Sequence, residues 1–189
     1  MIKKLEIKNF KAHKKAYFDL KGLNIFTGKN GMGKSSIIQS LLLLRQSYLS
    51  QSKFEGLILN GDLVLIGNSQ DAFCESGDGD EIEFSLTDEN SIKHQWLFSR
   101  NIDKNFLPLK NVINEDNFPQ LELFGKNFQY IAAEHLAAHE SHARNTYFVE
   151  QLNQISEKHG DGKYTVHYLA HNAEKDISFP EMQHKKAKS

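Results

Sequence analysis

The chain has 189 residues, of which 39% are hydrophobic, and its 23 basic and 24 acidic side chains leave a formal net charge of −1. This length can bury one good core, and the balanced charge gives no whole-chain electrostatic argument for binding nucleic acid. Cys74 is the only cysteine, which excludes an internal disulfide and favours a reducing compartment. The longest apolar run, Leu41–Leu44, is far shorter than the ~20 residues that span a membrane. We therefore expect a soluble, cytoplasmic protein with no membrane partner.

The N-terminal region contains three short segments with the pattern of strands. Apolar and charged residues alternate over residues 4–8, which predicts a half-exposed strand. After a turn at residues 9–13, a second alternating stretch at residues 16–20 predicts another strand. Residues 23–27, Leu-Asn-Ile-Phe-Thr, predict a third, short apolar strand that leads directly into a glycine-rich loop.

That loop, residues 28–35, spells G-x-x-x-x-G-K-S, the phosphate-binding pattern of nucleotide triphosphatases. Its glycines allow backbone N–H groups to approach phosphate oxygens, and the following helix adds the positive end of its dipole. Lys34 is expected to contact the β- and γ-phosphates, and the Ser35 hydroxyl to bind Mg²⁺. A glycine-rich turn that matches by chance is the alternative, and the flanking strand and helix patterns count against it. The pattern predicts ATP binding by Asn30, Gly31, Met32, Gly33, Lys34, Ser35 and Ser36.

A helix is predicted directly after the loop, over residues 36–46. Its apolar face is too broad for a surface helix, so we expect it to be buried against the sheet. Beyond it, residues 56–61 and 63–67 are short apolar stretches bounded by glycines. They predict short strands or turns.

Two alternating stretches, residues 81–86 and 92–98, flank a polar turn at residues 87–91. This arrangement predicts an antiparallel hairpin spanning about residues 80–99. Side chains of a strand alternate between its two faces. We therefore expect a shared core formed by Ile82, Phe84 and Leu86 with Trp96 and Phe98, and Glu83 and Ser85 facing away from it.

The C-terminal half gives weaker signals. Residues 101–125 contain two prolines and predict loops, and residues 128–133 resemble a buried strand. Residues 143–158 carry apolar side chains at helical spacing and predict a helix that ends at a Gly-Asp-Gly sequence. The last six residues, 184–189, are basic and predict a disordered tail.

Several histidines are candidate metal ligands. His135, His139 and His142 have helical spacing, but no third ligand of fixed geometry follows them. Polar contacts are the favoured interpretation, with metal binding or phosphate contact as alternatives. His167 and His171 receive the same interpretation.

Two stretches together resemble a known family. Residues 5–13, which contain Asn-Phe followed by a basic residue, and residues 22–36, which contain G-x-N-G-x-G-K-S-S, are similar to the N-terminal lobe of ABC-type ATPases of the SMC, Rad50, RecF and OLD group. Residues 61–67 and 130–135 also resemble the smaller OLD-like and AAA-ABC ATPases of bacteria, several of which serve in phage defence. The resemblance implies an α/β P-loop lobe with an antiparallel β-subdomain.

The resemblance also implies roles for single residues. Lys11 is expected near the nucleotide phosphates with His13 close by, and Gln70 is expected to contact Mg²⁺ and the attacking water. A solvated lysine and a solvated loop glutamine are the alternatives. Lys34 and Gln70 are therefore the expected catalytic residues, and Ser35 and Gln70 the expected metal ligands.

The chain departs from the family at the catalytic carboxylates. Phosphoryl transfer needs a carboxylate pair at the end of an apolar strand, and no such Asp-Glu pair follows four apolar residues here. Residues 87–89, Thr-Asp-Glu, belong to the hairpin turn and are expected to be solvated. The serine-glycine signature is also absent. If the chain did turn over ATP alone, Glu134 and then Asp88 would be the first carboxylates to consider.

We therefore expect an incomplete ATPase lobe at residues 1–140, its continuation at 141–183 and a tail at 184–189. Hydrolysis is expected to need the missing half. The resemblance implies a homodimer or larger ATPase assembly that acts on DNA or on a protein effector, in DNA repair or phage defence. A nucleotide-sensing module that does not hydrolyse ATP is the alternative. A small-molecule kinase would need an acceptor pocket and lid arginines, and the hairpin argues against it.

Overall fold

A single six-stranded antiparallel sheet organises the N-terminal part of the chain. The structure is a computed structural model that describes residues 1–101, 104–114, 120–133 and 142–175. The strands follow the order β2-β1-β4-β5-β6-β3 across the sheet. Their bounds are β1 Ile2–Phe10, β2 His13–Asp19, β3 Gly56–Ile58, β4 Glu81–Asp88, β5 Lys93–Ser99 and β6 Phe106–Ile113.

The described secondary structure also includes three α-helices, a 3-10 turn and a π-helical turn. The chain divides by its contacts into two compact units, Met1–Phe128 and Gln129–Ser189. The predicted boundary at residue 140 lies outside the described residues and stays a prediction. The helices are α1 Lys34–Leu49, α2 Ser69–Ala72 and α3 Thr165–His171, with a 3-10 turn at Glu122–Phe124 and a π-helical turn at Tyr147–Gln151.

The predicted hairpin is confirmed as β4 and β5, and one face of it forms the centre of the core. Phe84 is opposite Trp96 and Ile82 is opposite Phe98 in the register, and all four side chains are fully buried. The Phe84 ring contacts Phe10 edge-on at 5.1 Å between centroids. The alternation of residues 81–86 therefore gave the buried face of β4 correctly.

The other face of β4 carries Glu83 and Ser85 as expected, but Ser85 is more covered than its position suggests. Glu83 is half-buried, but Ser85 is only 1% exposed. Ser85 lies between Glu6 and Gln95 in the register of the neighbouring strands. A short side chain in a central strand is covered by its longer neighbours, and alternation alone does not predict that.

The helix after the loop is longer than predicted and is buried as expected. α1 begins at Lys34 and contacts β3, β1 and the 3-10 turn. Gln46, 3% exposed, attaches it to the following segment: its Nε2 donates to Ile58 O at 2.8 Å, and its Oε1 accepts from Val64 N at 2.9 Å. Two glycine-bounded stretches follow as predicted, with β3 in the first and a bridge between Asn60 and Leu65.

The predicted strand at residues 23–27 is wrong, because this segment has no strand partner among the described residues. Leu23 and Ile25 are 78% and 76% exposed. Phe26 does contact Phe18, with ring centroids 5.7 Å apart. The apolar pattern is therefore present without the hydrogen-bonded neighbour that defines a strand.

The expected loop at residues 101–125 is also wrong in part, because it contains β6. Pro108, which suggested a loop, is opposite Gly56 of the short strand β3. On the other side of β6, the register with β5 shifts between Leu97 and Phe98. A proline removes one N–H from the ladder, and it is tolerated near such irregular pairing.

In the C-terminal unit, two predicted elements are replaced by irregular chain. Residues 128–133 form no strand, and Ile131 is 55% exposed. The helix predicted over residues 143–158 is limited to the π-helical turn, because Asn153 takes a left-handed conformation with φ 56° just after it. The basic tail lies outside the described residues. Among the helices that the structure describes, none is both long and apolar enough to cross a membrane.

Candidate nucleotide-binding site

The glycine-rich loop turns into α1 at Gly33, and this position requires glycine for two reasons. Gly33 has φ 82°, a left-handed conformation that side chains rarely adopt. A Cβ here would also lie 2.7 Å from His13 Nε2 and 2.9 Å from Ala12 Cβ. The loop therefore packs directly against the turn that joins β1 and β2. His13 Nε2 lies 3.0 Å from Gly33 O, at hydrogen-bond distance.

The start of α1 suits an anion. Its 16 residues begin immediately after the loop, the N-cap Gly33 makes no side-chain cap, and the first turn contains no acidic residue. The first N–H groups of a helix lack intrahelical acceptors and carry the positive end of the dipole. Phosphate oxygens are the ligands that such a terminus accepts.

Lys34 lies over the loop that precedes it. Its Nζ donates to Gly28 O at 2.8 Å and to Lys29 O at 2.7 Å. Both acceptors are neutral carbonyl groups, so they orient the ammonium group without neutralising it. The charge of Lys34 remains available to an anionic ligand at the loop.

An open cavity of about 520 Å³ lies at this loop, and its size is ordinary for a small-ligand site. Met32, one of the predicted nucleotide-binding residues, is 68% exposed and does not line the cavity. The structure brings the other predicted residues together around it: Lys11, Asn30, Gly31, Gly33, Lys34, Ser35 and Ser36.

Sequence reasoning missed two residues that line the cavity, Ala12 and Gln39. Gln39 lies four residues after Ser35 on α1, and residues at this spacing share one face of a helix. That signal was present in the sequence. Ala12 enters because it follows Lys11 in the turn that packs against Gly33.

The charges around the cavity differ from those on the sheet. On the strands, Lys93 of β5 pairs with Glu6 at 2.9 Å, and Lys14 of β2 pairs with Asp78 at 2.8 Å. Within the described part of the chain, by contrast, no carboxylate oxygen lies within 4.0 Å of the ammonium groups of Lys11, Lys29 and Lys34. The local positive charge is therefore uncompensated at the cavity although the whole chain is nearly neutral.

Gln70 lies outside this group of residues. It is exposed on the short helix α2 and does not line the cavity. The same helix ends beside the β1–β2 turn, where Lys11 N donates to Ala72 O at 2.9 Å. The contact of Gln70 with Mg²⁺ and the attacking water stays a prediction.

Of the two carboxylates considered as catalytic groups, Asp88 does not line the cavity. Asp88 was expected to be solvated, but its side chain is only 16% exposed, because its Oδ1 accepts from Asn90 N and Ile92 N, both at 2.9 Å, and closes the hairpin turn. Glu134 lies outside the described residues.

The histidine cluster is only partly described. His135 and His139 lie outside the described residues, and His142 is exposed. The described part of the chain contains no group of three or more side chains suited to hold a metal ion. His167 has a structural contact instead, since its Nδ1 accepts from Asn145 N at 3.2 Å.

Comparison with known proteins agrees with this geometry. The family model described as the AAA ATPase domain matches residues 1–189. The chain is 32% identical over 71 residues to the DNA replication and repair protein RecF of Clostridioides difficile, a match that covers 36% of this chain and 19% of that protein. It is 41% identical over 64 residues to the DNA double-strand break repair Rad50 ATPase of Sulfurisphaera tokodaii, which covers 32% of this chain and 7% of the relative.

A second Rad50 ATPase, from Archaeoglobus fulgidus, is 47% identical over 45 residues, or 23% of this chain and 5% of that protein. The chain thus matches less than a fifth of the length of each of these relatives. The mixed α/β structure with its antiparallel sheet is that of the N-terminal lobe of such ATPases. The chain belongs to the AAA ATPase domain family, and part of it is similar to RecF and Rad50 ATPases.

Proposed function

We propose that this chain is the nucleotide-binding part of an ATPase and that it binds ATP with Mg²⁺ at the loop formed by residues 28–35. The observation that supports this most is the cavity at the start of α1, where the loop backbone meets two lysines, Lys11 and Lys34, that have no acidic partner among the described residues. Triphosphate and Mg²⁺ fit the chemistry of these groups. Lys34 would hold the β- and γ-phosphates, Ser35 would bind the metal, and Lys11 would contact phosphate from the β1–β2 turn.

Titration calorimetry with MgATP tests this proposal. Lys34→Ala should remove most of the ATP affinity, because it deletes the charge that faces the phosphates. The substitution is at the surface and should leave the fold intact. Lys53→Ala is the matched control, since Lys53 is exposed and does not line the cavity. Equal affinity in the wild type and Lys34→Ala would overturn the proposal.

The assigned role of Ser35 has a separate test. Ser35→Ala should weaken binding of ATP in the presence of Mg²⁺ and change binding little when the metal is chelated, because only the hydroxyl is lost. If Mg²⁺ alters the affinity of neither protein, Ser35 does not bind the metal.

We further propose that hydrolysis needs a carboxylate half supplied by additional polypeptide, with Gln70 contributing beside it. The positioning of water and the neutralisation of charge contribute several powers of ten to phosphoryl transfer. The exposed apolar side chains of Leu23 and Ile25, next to the loop, support a further strand packing there. The 189-residue chain with Mg²⁺ should therefore show no steady phosphate release. Steady phosphate release that Lys34→Ala abolishes would contradict this proposal. Glu134 and then Asp88 would be the first residues to test as the catalytic carboxylate.

For the completed protein we propose a homodimer or larger assembly that uses ATP to act on DNA. The support is the similarity to relatives named for DNA replication and repair and for double-strand break repair. Action on a protein effector in phage defence is the alternative from the OLD-like resemblance. A nucleotide sensor that does not hydrolyse ATP would show no ATP turnover in the assembly, whereas an ATPase would show turnover that Lys34→Ala abolishes.

We expect the assembly to be cytoplasmic.

A further inference from the structure

The end of β1 and the turn that follows it have an unusual backbone. Asn9 and Lys11, neither of them glycine, both take left-handed conformations, with φ 58° and 49°. Asparagine tolerates this region better than most residues, but a lysine there carries a conformational cost. Such strain persists only where the surrounding structure imposes it. The turn must therefore be held by contacts outside itself.

Asn9 makes those contacts. Its side chain is 2% exposed, and its Nδ2 donates to Gly79 O at 3.0 Å and to Glu81 O at 2.9 Å, which uses both amide hydrogens. Its backbone carbonyl accepts from Cys74 N at 3.2 Å. The amide oxygen of Asn9 lies close to Gly77, since a Cβ added at Gly77 would be 1.8 Å from Asn9 Oδ1. Asn9 is thus held against residues 74–81 by three hydrogen bonds.

Phe10, Lys11 and His13 connect Asn9 to the cavity. Phe10 is fully buried and bridges to Phe73, and Lys11 N donates to Ala72 O at 2.9 Å. Lys11 then lines the cavity together with residues at the start of α1. His13 closes the turn onto the loop through Gly33 O. The position of Lys11 therefore depends on a path of contacts that begins at the buried amide of Asn9.

We propose that Asn9 is a positioning residue for nucleotide binding: its buried amide holds the left-handed turn that brings Lys11 to the phosphates. This inference rests on the proposed function, since it needs a nucleotide at the loop. It adds that residues 74–81, which do not line the cavity, control the affinity through the backbone of the turn. A purely structural role for Asn9 would lower stability without acting through Lys11.

A double-mutant cycle separates the two roles. Asn9→Gly removes the amide but keeps the left-handed conformation accessible, and Lys11→Met removes the charge. In calorimetry with MgATP, each single variant should raise the Kd about tenfold, the size expected for losing one hydrogen bond to a charged group. The double variant should bind no more weakly than Lys11→Met alone, because Asn9 acts through Lys11.

Gly77→Ala displaces Asn9 without changing its chemistry and serves as the second variant. Its new Cβ must push the amide of Asn9 away, so it should reproduce the tenfold rise in Kd and its dependence on Lys11. Gly22→Ala is the matched control, because no atom lies within 4 Å of its added Cβ and its φ is not left-handed. Its Kd should equal that of the wild type.

The outcomes distinguish the inference from the proposed function. If the wild type fails to bind MgATP, both are overturned. If the wild type binds and Lys34→Ala does not, while the Asn9 and Lys11 effects simply multiply, only the inference is overturned. Circular dichroism monitors folding, and the cycle is run with Gly77→Ala if Asn9→Gly unfolds. Unfolding of both variants would assign Asn9 to stability alone and would also overturn the inference.

Discussion

The β4–β5 hairpin and the segment from Leu23 to Thr27 both carry apolar side chains in a strand-like pattern, but only the hairpin is part of the sheet. Phe84 in β4 is fully buried between two neighbouring strands. Leu23 and Ile25 are more than three-quarters exposed. Alternation thus describes a surface that can be buried, and a neighbouring strand must be present to bury it.

The two regions also differ in how their charges are satisfied. The lysines around the hairpin are paired, as Lys93 is with Glu6 and Lys110 with Glu81. The loop carries Lys29 and Lys34 without a described acidic partner, and its glycines take left-handed conformations. A region whose own contacts leave its positive charge uncompensated is where an anionic ligand gains the most from binding.

Phe84→Ala is expected to have the largest effect on the free energy of unfolding. Removing a fully buried ring that contacts Phe10 and Phe98 should lower the free energy of unfolding by about 3–5 kcal/mol. Urea denaturation measures it, and Tyr17→Ala, at a side chain 60% exposed on the same sheet, should cost less than about 1 kcal/mol. A cost below about 1 kcal/mol for Phe84→Ala would show that the hairpin is peripheral.

A smaller effect is expected at Arg45, which joins α1 to the 3-10 turn. Its Nη1 donates to Leu123 O at 2.5 Å and to Gly125 O at 3.0 Å, and burial lowers its pKa to about 10, so it stays charged at neutral pH. Arg45→Met should destabilise the fold by about 2–3 kcal/mol, because the carbonyls lose a charged donor. Thermal denaturation beside exposed Lys53→Met checks this, and equal stability of the two variants would contradict it.

The smallest effect is expected in the unpaired segment. Leu23→Ser and Ile25→Ser should each change the free energy of unfolding of this chain by less than about 0.5 kcal/mol, because both side chains are already exposed. A loss above about 1 kcal/mol in the isolated chain would mean that the segment is buried in solution.

The sequence predicted the parts of the fold whose signals are local. Alternation identified the buried face of β4, and the spacing from Gly28 to Ser35 gave the loop and the start of α1. β6 escaped prediction because Pro108 suggested a loop, while its pairing with β3 and β5 depends on residues far away in the chain. The helix expected over residues 143–158 failed because Asn153 adopts a left-handed conformation that helical spacing does not reveal.

Of the candidate site, the residues within the loop could be predicted and the supporting contacts could not. Lys11 was identified through family resemblance, and the structure brings it to the cavity. The fixation of Lys11 by Asn9 depends on backbone carbonyls 70 and 72 residues away, which no local pattern encodes. The same holds for the contact of His13 with Gly33, which lies 20 residues further along.

The most direct test of nucleotide binding at this loop is an NMR titration of the backbone amides with MgATP. We expect the largest shift changes at residues 11–13 and 30–39, which surround the cavity, and little change at the hairpin turn around residues 88–93. Lys34→Ala should abolish these changes at the same ATP concentration. Changes centred on the hairpin or on residues 142–175, or changes that persist in Lys34→Ala, would contradict a nucleotide site at the loop.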